Sequence, residues 1–331
     1  MNIKLKEKNM KIGNYKVALQ AIEKYKNIII FHHIRPDGDC LGSQAGLAEL
    51  IKKNYPKKKV FTVGDNVHTF DFMSYHYDPI ETVDFKNSLG IVVDASSSDR
   101  IQDGHLLVEK KCTAALRIDH HPNGSDIEYD YLWIDEHYVA AAEMVAMLAK
   151  SAKWEITKKA AEHIYLGINT DSGRFLYPDT SARTYKLVAH LIEKGGLDSQ
   201  WILRELNKRS SRDIKYTGEI LSGFKQSGRV LYFEVTKEIM DKYGMNDLEA
   251  AIFVNELANI DDNSCWAFFI QLADGTVRCR LRSNGPLVNN VARLHNGGGH
   301  DNAAGCSINS WDEVPVVLKE LNDCIKEWEA K

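Results

Sequence analysis

The sequence predicts an α/β protein: a mostly parallel sheet with helices on both faces, followed by a smaller α+β domain. Short apolar runs alternate with longer helical patterns between residues 27 and 167, which is typical of successive β-α units. After about residue 225 the pattern changes to strands around Ala273-Asp274-Gly275, a hairpin turn signal. The length of 331 residues also favours two domains over one.

Five runs in the first half have the length and composition of buried strands. They are Asn27–Phe31, Val60–Val63, Leu89–Val93, Ala114–Ile118 and Tyr131–Ile134. Helical spacing of apolar residues is found in Leu41–Lys53, Ala140–Ala152 and Lys158–Gly167. A sheet of this kind binds ligands beyond the carboxyl ends of its strands.

The domain boundaries follow from the change of pattern. We expect a first domain at residues 1–195, a helical linker at 196–225 and a second domain at 226–331. A helical continuation of the first domain through Ser181–Gly223 is the alternative. The second domain is predicted to contain strands at Arg229–Val235, Ser264–Leu272, Thr276–Ser283 and Ala303–Ile308, with helices at Leu287–His295 and Trp311–Trp328.

The composition excludes several classes of protein. A net charge of −4 is unusual for a protein that coats long nucleic acid, and favours small anions or short oligomers as ligands. The six cysteines are scattered without a Cys-x-x-Cys pair, which is typical of reduced thiols in a cytoplasmic protein. The charged residues 1–9 do not resemble a signal peptide. No apolar run approaches the ~20 residues of a membrane span, so no membrane partner is expected.

Acidic residues and histidines occur at four places, mostly where a predicted strand ends. These are His33 with Asp37 and Asp39, then Asp94, then Asp119-His120-His121, and finally Asp171 in a loop after a helix. Each has an ordinary alternative: Asp39 or Asp94 could cap a helix, the histidine pair could lie in a solvated loop, and Asp171 could serve a turn.

Taken together, two histidines and four aspartates should meet at one edge of the sheet. Oxygen and imidazole ligands without thiolate suit Mn²⁺ or Mg²⁺ better than zinc or copper. Six ligands suit two ions about 3.5–4 Å apart with a bridging carboxylate, which would activate a shared water and neutralise a phosphoryl oxygen. The expected reaction is hydrolysis of a phosphate ester or anhydride.

The second domain offers candidates for phosphate binding. Arg278, Arg280 and Arg282 alternate and therefore share one face of a strand. That face is either solvated or a comb of anion-binding guanidinium groups. Gly297-Gly298-Gly299-His300 predicts a loop whose backbone N–H groups can approach an anion closely.

These motifs resemble the DHH phosphoesterase superfamily. His33-x-x-x-Asp37-x-Asp39, Asp94, Asp119-His120-His121 and Asp171 match its four motifs in order, and Gly297 to Gly305 with Arg282-Ser283 is similar to the DHHA1 domain. The resemblance covers nearly the whole chain. The short two-domain layout is most similar to the nanoRNase and 3′-phosphoadenosine 5′-phosphate (pAp) phosphatase branch.

The resemblance implies a role for each residue. His33 and Asp37 would hold one metal, with Asp94 bridging; Asp39, His120 and Asp171 would complete the second. His121 would contact the scissile phosphate or orient the nucleophilic water, and Asp119 would orient its neighbours. The substrate would be bound by Arg282, Ser283, Gly298, Gly299 and His300, with Arg100 as a further candidate.

The leading hypothesis is a phosphoesterase that uses two Mn²⁺ ions, with Mg²⁺ as the alternative. It would release 5′-mononucleotides from short RNA or DNA oligonucleotides and dephosphorylate pAp. A cyclic or linear dinucleotide phosphodiesterase is the nearest alternative, ahead of a processive nuclease or a pyrophosphatase. A non-catalytic nucleotide-binding module belongs to a different class. The oligomeric state is left open, with a homodimer as one option.

Overall fold

The computed structural model describes residues 10–65 and 70–330. The chain divides into two compact units, Met1–Asn207 and Lys208–Lys331, and this border falls inside the predicted linker of 196–225. Residues 1–9, on which the signal-peptide expectation rests, lie outside the described residues. No helix in the described ranges is long and apolar enough to cross a membrane.

The first unit is built on a six-stranded sheet in the order β1-β6-β5-β4-β2-β3. Its strands are β1 (Lys11–Ile12), β2 (Asn27–Phe31), β3 (Lys59–Thr62), β4 (Ser88–Val93), β5 (Ala114–Asp119) and β6 (Tyr131–Asp135). Strand β1 pairs antiparallel with β6, and the other four pairings are parallel. The predicted fold class is therefore confirmed, and each predicted strand lies within one residue of its observed bounds at either end.

The helices of the first unit are distributed unequally over the two faces of this sheet. They are α1 (Tyr15–Lys24), α2 (Gly38–Asn54), α3 (His105–Val108), α4 (Ala141–Ser151), α5 (Lys158–Asp171), α6 (Ala182–Gly195) and α7 (Ser199–Leu206). All but the short α3 contribute to one core with Ile28, Ile30 and Leu116 of the sheet. The opposite face, with Ile29 and Phe31, is covered by α3 and loops.

Glycines bring α2 and α5 into close contact. A Cβ atom at Gly42 would lie 2.4 Å from the carbonyl oxygen of His163. A Cβ atom at Gly167 would lie 2.6 Å from Cβ of Ala142 and 3.0 Å from Oδ1 of Asp39. Larger side chains would force the helices apart, since real Cβ atoms do not approach other atoms so closely. The start of α2 and the end of α5 therefore meet at the carboxyl edge of the sheet.

The second unit is an α+β domain, as predicted, with a sheet in the order β11-β12-β10-β9-β8-β7. Its strands are β7 (Lys225–Ser227), β8 (Val230–Val235), β9 (Cys265–Gln271), β10 (Val277–Ser283), β11 (Gly298–His300) and β12 (Ala303–Ile308). Its helices are α8 (Ser211–Gly223), α9 (Lys237–Tyr243), α10 (Asp247–Ala251), α11 (Val288–Leu294) and α12 (Val314–Glu329). Strands β9 and β10 form the predicted hairpin.

The prediction of a loop through the glycine run is partly wrong. Gly298–His300 forms β11, which pairs antiparallel with β12 through Gly299 and Ala304. Gly299 has a φ of 139°, and a Cβ atom there would lie 2.6 Å from the carbonyl oxygen of Ala303. Only glycine can occupy this position, and the pairing that results could not be inferred from a run of glycines alone.

Candidate metal centre

The carboxyl edge of the first sheet brings the predicted acidic residues and histidines together. His33 follows β2, Asp94 follows β4, and His120 follows β5. Asp39 lies in the first turn of α2. The prediction that Asp171 lies in a loop is wrong: it is the last residue of α5, because that helix continues four residues beyond its predicted end at Gly167.

Asp94 lies at the centre of the cluster and is buried. Its Oδ1 atom lies 3.3 Å from Nε2 of His120 and 3.4 Å from Nδ1 of His121. Its Oδ2 atom lies 3.6 Å from Nε2 of His33. The backbone of Asp94 has a φ of 58°, a left-handed conformation that aspartate tolerates better than most residues. One carboxylate therefore faces imidazoles on both sides.

The remaining carboxylates surround the same imidazoles. Nε2 of His120 lies 3.3 Å from Oδ2 of Asp171 and 3.8 Å from Oδ2 of Asp39. Nε2 of His33 lies 3.7 Å from Oδ1 of Asp37. All six residues that the sequence selected as metal ligands are thus near one another in the structure.

The helix cap at the start of α2 differs from the alternative considered for the sequence. Asp37, not Asp39, is the N-cap residue, and its side chain accepts a hydrogen bond of 3.0 Å from the Cys40 N–H. Asp39 is buried, and its two oxygens accept hydrogen bonds of 2.6 and 2.8 Å from the N–H groups of Ala141 and Ala142. The amino terminus of α4 therefore orients the Asp39 carboxylate, as helix termini commonly do for anions.

Burial and neighbouring charges shift the pKa values of three carboxylates of the cluster in different directions. Burial, with the charges of Asp94 and Asp171, raises the pKa of Asp39 well above its ordinary value. Burial, partly offset by His120, raises the pKa of Asp171 to about 6. Burial would also raise the pKa of Asp94, but the three histidines around it outweigh that effect and hold it well below its ordinary value. A bound cation would stabilise the ionised forms of all three.

Two atoms of the cluster indicate where such a cation fits. Asp94 Oδ1 and His120 Nε2 are buried, and neither has a hydrogen bond of acceptable geometry among the residues that the structure describes. Buried polar atoms without a partner are rare in folded proteins. Ligand atoms within 4.8 Å of one another occur in three groups: His33, Cys40 and Asp94; Asp94, His120 and His121; and Asp39, His120 and Asp171. These groups of oxygen, nitrogen and sulfur atoms could hold a metal ion.

Cys40 is a member of these groups that sequence reasoning did not select. Burial raises the pKa of its thiol to about 12, which disfavours the thiolate form in the absence of a bound cation. Its Sγ atom accepts a hydrogen bond of 3.1 Å from the His33 N–H. Cys40 therefore contacts the backbone of the loop that carries His33.

Arg117 was also missed, although it organises the histidine pair. It is buried on β5 and donates to Oδ2 of Asp119 from Nη2 at 2.6 Å and from Nε at 2.9 Å. Asp119 Oδ1 in turn accepts from the His121 N–H at 2.9 Å and lies 3.0 Å from Nδ1 of its ring. A signal existed: an arginine inside a buried strand requires a partner, and the residue two positions along faces the same way.

Arg100 is the substrate-binding candidate that follows Asp94 in the sequence. It ends a short 3₁₀ helix, and its carbonyl oxygen accepts a hydrogen bond of 2.8 Å from the Ile34 N–H. Its side chain is exposed and has no carboxylate partner among the described residues. The guanidinium group is thus available to an anion.

The arginines of the second unit do not act as one comb. Arg278 forms an ion pair with Asp247. Arg280 has a buried Nε atom without a hydrogen-bond partner among the described residues. Burial and the nearby Arg280 charge lower the pKa of Arg282, whose Nη1 donates to the Leu281 carbonyl at 2.9 Å. Arg280 and Arg282 therefore carry positive charge that an anion could neutralise.

Ser283, by contrast, already uses its hydroxyl group. The hydroxyl donates a hydrogen bond of 2.5 Å to the Pro286 carbonyl and accepts one of 2.9 Å from Nδ2 of Asn302. Because a hydroxyl has a single hydrogen to donate, it cannot also donate to a phosphate without breaking the first bond. In this structure Ser283 holds the turn after β10.

The glycine strand is open on one side. A Cβ atom at Gly298 would meet no atom within 4 Å, so a ligand can approach the backbone there. His300, at the end of β11, is exposed. A cavity of about 500 Å³ lies next to Gly298 and is lined by Arg278, Arg280 and His295 among other residues. The second unit thus presents basic groups and accessible backbone on one surface.

Models of known protein families match both units of this structure. Residues 27–168 match the model of the DHH family, N-terminal domain, and residues 227–327 match that of the DHHA1 domain. A Mycoplasma genitalium protein named "Bifunctional oligoribonuclease and PAP phosphatase NrnA" is 42% identical over 96% of this chain and 98% of its own length. The chain belongs to the DHH/DHHA1 phosphoesterase family. This member of the family is therefore an enzyme that hydrolyses phosphate esters.

Further relatives support this membership. A Bacillus subtilis protein of the same name is 36% identical to this DHH phosphoesterase over 94% of the chain and 98% of its own length. A crystal structure of an exopolyphosphatase-related protein from Bacteroides fragilis matches with a TM-score of 0.76 over 96% of both chains. At 23% identity that likeness shows the fold alone.

Proposed function

We propose that this DHH phosphoesterase releases 5′-mononucleotides from short oligonucleotides and converts pAp to AMP. The observation that carries the proposal is the match, over nearly the full length, to relatives named as oligoribonuclease and PAP phosphatase. In the oligonucleotide reaction, water adds to phosphorus and the bond to the 3′-oxygen of the preceding nucleotide breaks. In the pAp reaction the same bond type is cleaved, at the 3′-phosphate.

The metal-binding residues are assigned by their proximity in the first unit. His33, Asp37 and Asp94 would hold one ion, and Asp94, Asp39, His120 and Asp171 would hold a second. Two divalent ions, Mn²⁺ in our proposal, would supply Lewis acidity at the phosphoryl group. Asp94 faces His33 with one oxygen and His120 with the other, and this position supports its role as the shared ligand.

His121 is proposed to act on the substrate directly. Its Nδ1 atom lies 3.0 Å from Asp119, which favours a proton on Nδ1 and leaves Nε2 on the opposite side of the ring. The side chain is 48% exposed, unlike that of His120 at 13%. His121 can therefore reach a phosphate oxygen while Asp119 and Arg117 keep its ring in place.

The second unit is proposed to bind the substrate phosphate. Arg282, His300 and the backbone at Gly298 and Gly299 are the groups we assign to this task, and Arg100 of the first unit is a further candidate. The guanidinium groups of Arg282 and Arg100 have no carboxylate partner among the described residues, and the backbone at Gly298 is open. Both features suit phosphate oxygens and support the assignment. Ser283 would contribute by holding the turn after β10.

A substrate panel with Mn²⁺ tests the proposal. The substrates are pAp, RNA of two to five nucleotides, linear pApA and cyclic diadenylate, compared by kcat/KM with 5′-mononucleotide identified as the product. We expect the short RNAs and pAp to be turned over, and Asp94→Asn to abolish both activities. Glu193→Gln, on the exposed surface of α6, is the matched control and should retain them.

Two results would contradict the proposal. The first is a purified protein that is inert towards dinucleotides, pAp and pApA in the presence of Mn²⁺. The second is a kcat/KM for cyclic diadenylate far above that for every linear substrate. The second result would replace the oligoribonuclease assignment with a cyclic dinucleotide phosphodiesterase.

A further inference from the structure

The segment after α5 presents two large apolar side chains to solvent, and one of them, Tyr177, lines a cavity together with residues of the metal centre. Leu176 is 82% exposed and Tyr177 is 58% exposed. They follow Asp171, one of the proposed metal ligands, by only five and six residues. Exposed side chains of this size at a candidate active site suggest a contact surface.

This segment has an unusual and well-supported backbone. Gly173, Arg174 and Phe175 are consecutive residues in the left-handed region, with φ of 57°, 61° and 65°. The Arg174 N–H donates to the Asn169 carbonyl at 2.7 Å, and the Tyr177 N–H donates to the Ser172 carbonyl at 3.0 Å. Strained backbone of this kind persists when the surroundings hold it, and it concentrates at functional sites.

Aromatic contacts of Phe175 also stabilise this segment. The Phe175 ring stacks on Tyr185 at 5.5 Å between centroids and lies 6.2 Å from the Tyr165 ring. A Cβ atom at Gly173 would lie 2.5 Å from the Tyr177 ring, so that ring rests directly against the Gly173 backbone. Backbone hydrogen bonds and aromatic contacts therefore hold the segment that carries the two exposed side chains.

Tyr177 shares a cavity with the cluster. The cavity measures about 250 Å³, and the residues that line it include His120, His121, Glu136, Asp171, Tyr177 and Asp179. None of the described residues that line it is a lysine or an arginine. The carboxylates among these residues repel a phosphate placed beside Tyr177, whereas an uncharged nucleobase is not repelled there.

We propose that Tyr177 and Leu176 form a platform on which a nucleobase stacks while the phosphate of the same substrate lies at the metal centre. This inference rests on the proposed function and extends it: the first unit by itself distinguishes a nucleotide from other phosphate esters. Aromatic rings bind bases through their π-faces with little preference for sequence. The platform would therefore accept any base.

Abasic substrates provide a kinetic test. The activity on a dinucleotide is compared with that on two analogues, each lacking the base at one of the two positions. We expect the wild-type kcat/KM to fall about 10-fold for at least one analogue. The discrimination, meaning the kcat/KM for the dinucleotide divided by that for the abasic analogue, should fall towards 1 in Tyr177→Ala and Leu176→Ala. Tyr177→Phe should keep the wild-type ratio because the ring remains.

Ile192→Ala is the matched control. Ile192 is 48% exposed on α6, so its truncation also removes apolar surface, and the discrimination should stay at the wild-type level. Should Tyr177→Ala fail to fold, Leu176→Ala keeps the test open, since an 82% exposed side chain contributes little to the core. Wild-type discrimination in both platform variants would overturn the proposal.

A binding measurement separates the platform from the catalytic proposal. The fluorescence of 2-aminopurine riboside 5′-monophosphate is quenched when its base stacks. We expect quenching by wild-type protein and by Tyr177→Phe, with a several-fold weaker response from Tyr177→Ala. This readout needs no turnover, so a protein inert towards every oligonucleotide could still confirm the platform. Equal quenching by wild type and Tyr177→Ala would overturn it.

Discussion

Arg117 and Asp119 form a buried ion pair next to His121. Nη2 of Arg117 lies 2.6 Å from Oδ2 of Asp119, and the two side chains are 2% and 0% exposed. The second oxygen of Asp119 holds both the backbone and the ring of His121. The orientation of His121 therefore depends on an arginine four residues before it.

Truncating one partner of this pair should be costly. Arg117→Met leaves a buried carboxylate without its cation, and we expect unfolding to become easier by about 3–5 kcal/mol. In a double-mutant cycle with Asp119→Asn, the double variant should lose about 1–3 kcal/mol less than the sum of the single variants. Calorimetric unfolding measures the stability losses of the single and double variants. Strictly additive losses would show that the pair is not coupled.

An exposed ion pair of the first unit provides the control for that experiment. Lys110 and Glu128 lie 2.7 Å apart, but their side chains are 72% and 82% exposed. Because solvent screens such pairs, Lys110→Met should leave the unfolding transition close to that of the wild type.

Mn²⁺ should stabilise the folded protein through the carboxylate cluster. At 100 times its dissociation constant, a bound ion adds about 2.7 kcal/mol to the stability of the protein. Asp94→Asn should greatly reduce the increase in Tm on adding Mn²⁺, because Asp94 faces ligands on both sides. Glu193→Gln should show the full increase. A normal increase in Asp94→Asn would remove Asp94 from the ligand set.

Gly42 should be intolerant of even one methyl group. A Cβ atom there would lie 2.4 Å from a backbone oxygen of α5, so Gly42→Ala should cost about 1–3 kcal/mol by overpacking. Gly218, exposed on α8, has no atom within 4 Å of the added Cβ. Gly218→Ala should therefore stabilise the protein by about 0.5–1 kcal/mol, since alanine favours helices. Urea unfolding compares the two, and a neutral Gly42→Ala would refute the close contact.

His163 should make stability depend on pH in the acidic range. Burial, with a smaller effect of the Lys159 charge, lowers its pKa to about 3, and its ring packs 5.2 Å from that of Tyr75. The unfolded state binds a proton near pH 6.5 and the folded state does not. This contribution to stability is therefore complete above pH about 6.5 and declines towards pH 3, by up to about 1.4 kcal/mol per pH unit.

Comparing wild type with His163→Phe across this range isolates the effect. The difference in unfolding free energy between the two proteins should change steadily as the pH falls from 7 to 4. A constant difference would show that His163 is protonated equally easily in both states.

Sequence patterns predicted β2 to β6 of the first unit well, missed β1, and predicted the ends of its helices less well. The run Asn27–Phe31 is buried on both faces, so its apolar composition and length are sufficient to identify it. The end of α5 was missed because Gly167 reads as a helix breaker, although in the structure it allows close contact with α2 and Asp39. The strand at Gly298–His300 depends on pairing with β12, which no local pattern contains.

By itself the sequence determined the α/β class, the order of the domains and six of the residues that meet in the cluster. It could do so because parallel strands end at one edge, so side chains that follow them must converge. Tertiary structure alone decided the partners: that Asp37 caps α2, that α4 orients Asp39, and that Arg117 supports Asp119. Those relationships join residues through packing and burial, which depend on the whole fold rather than on local spacing.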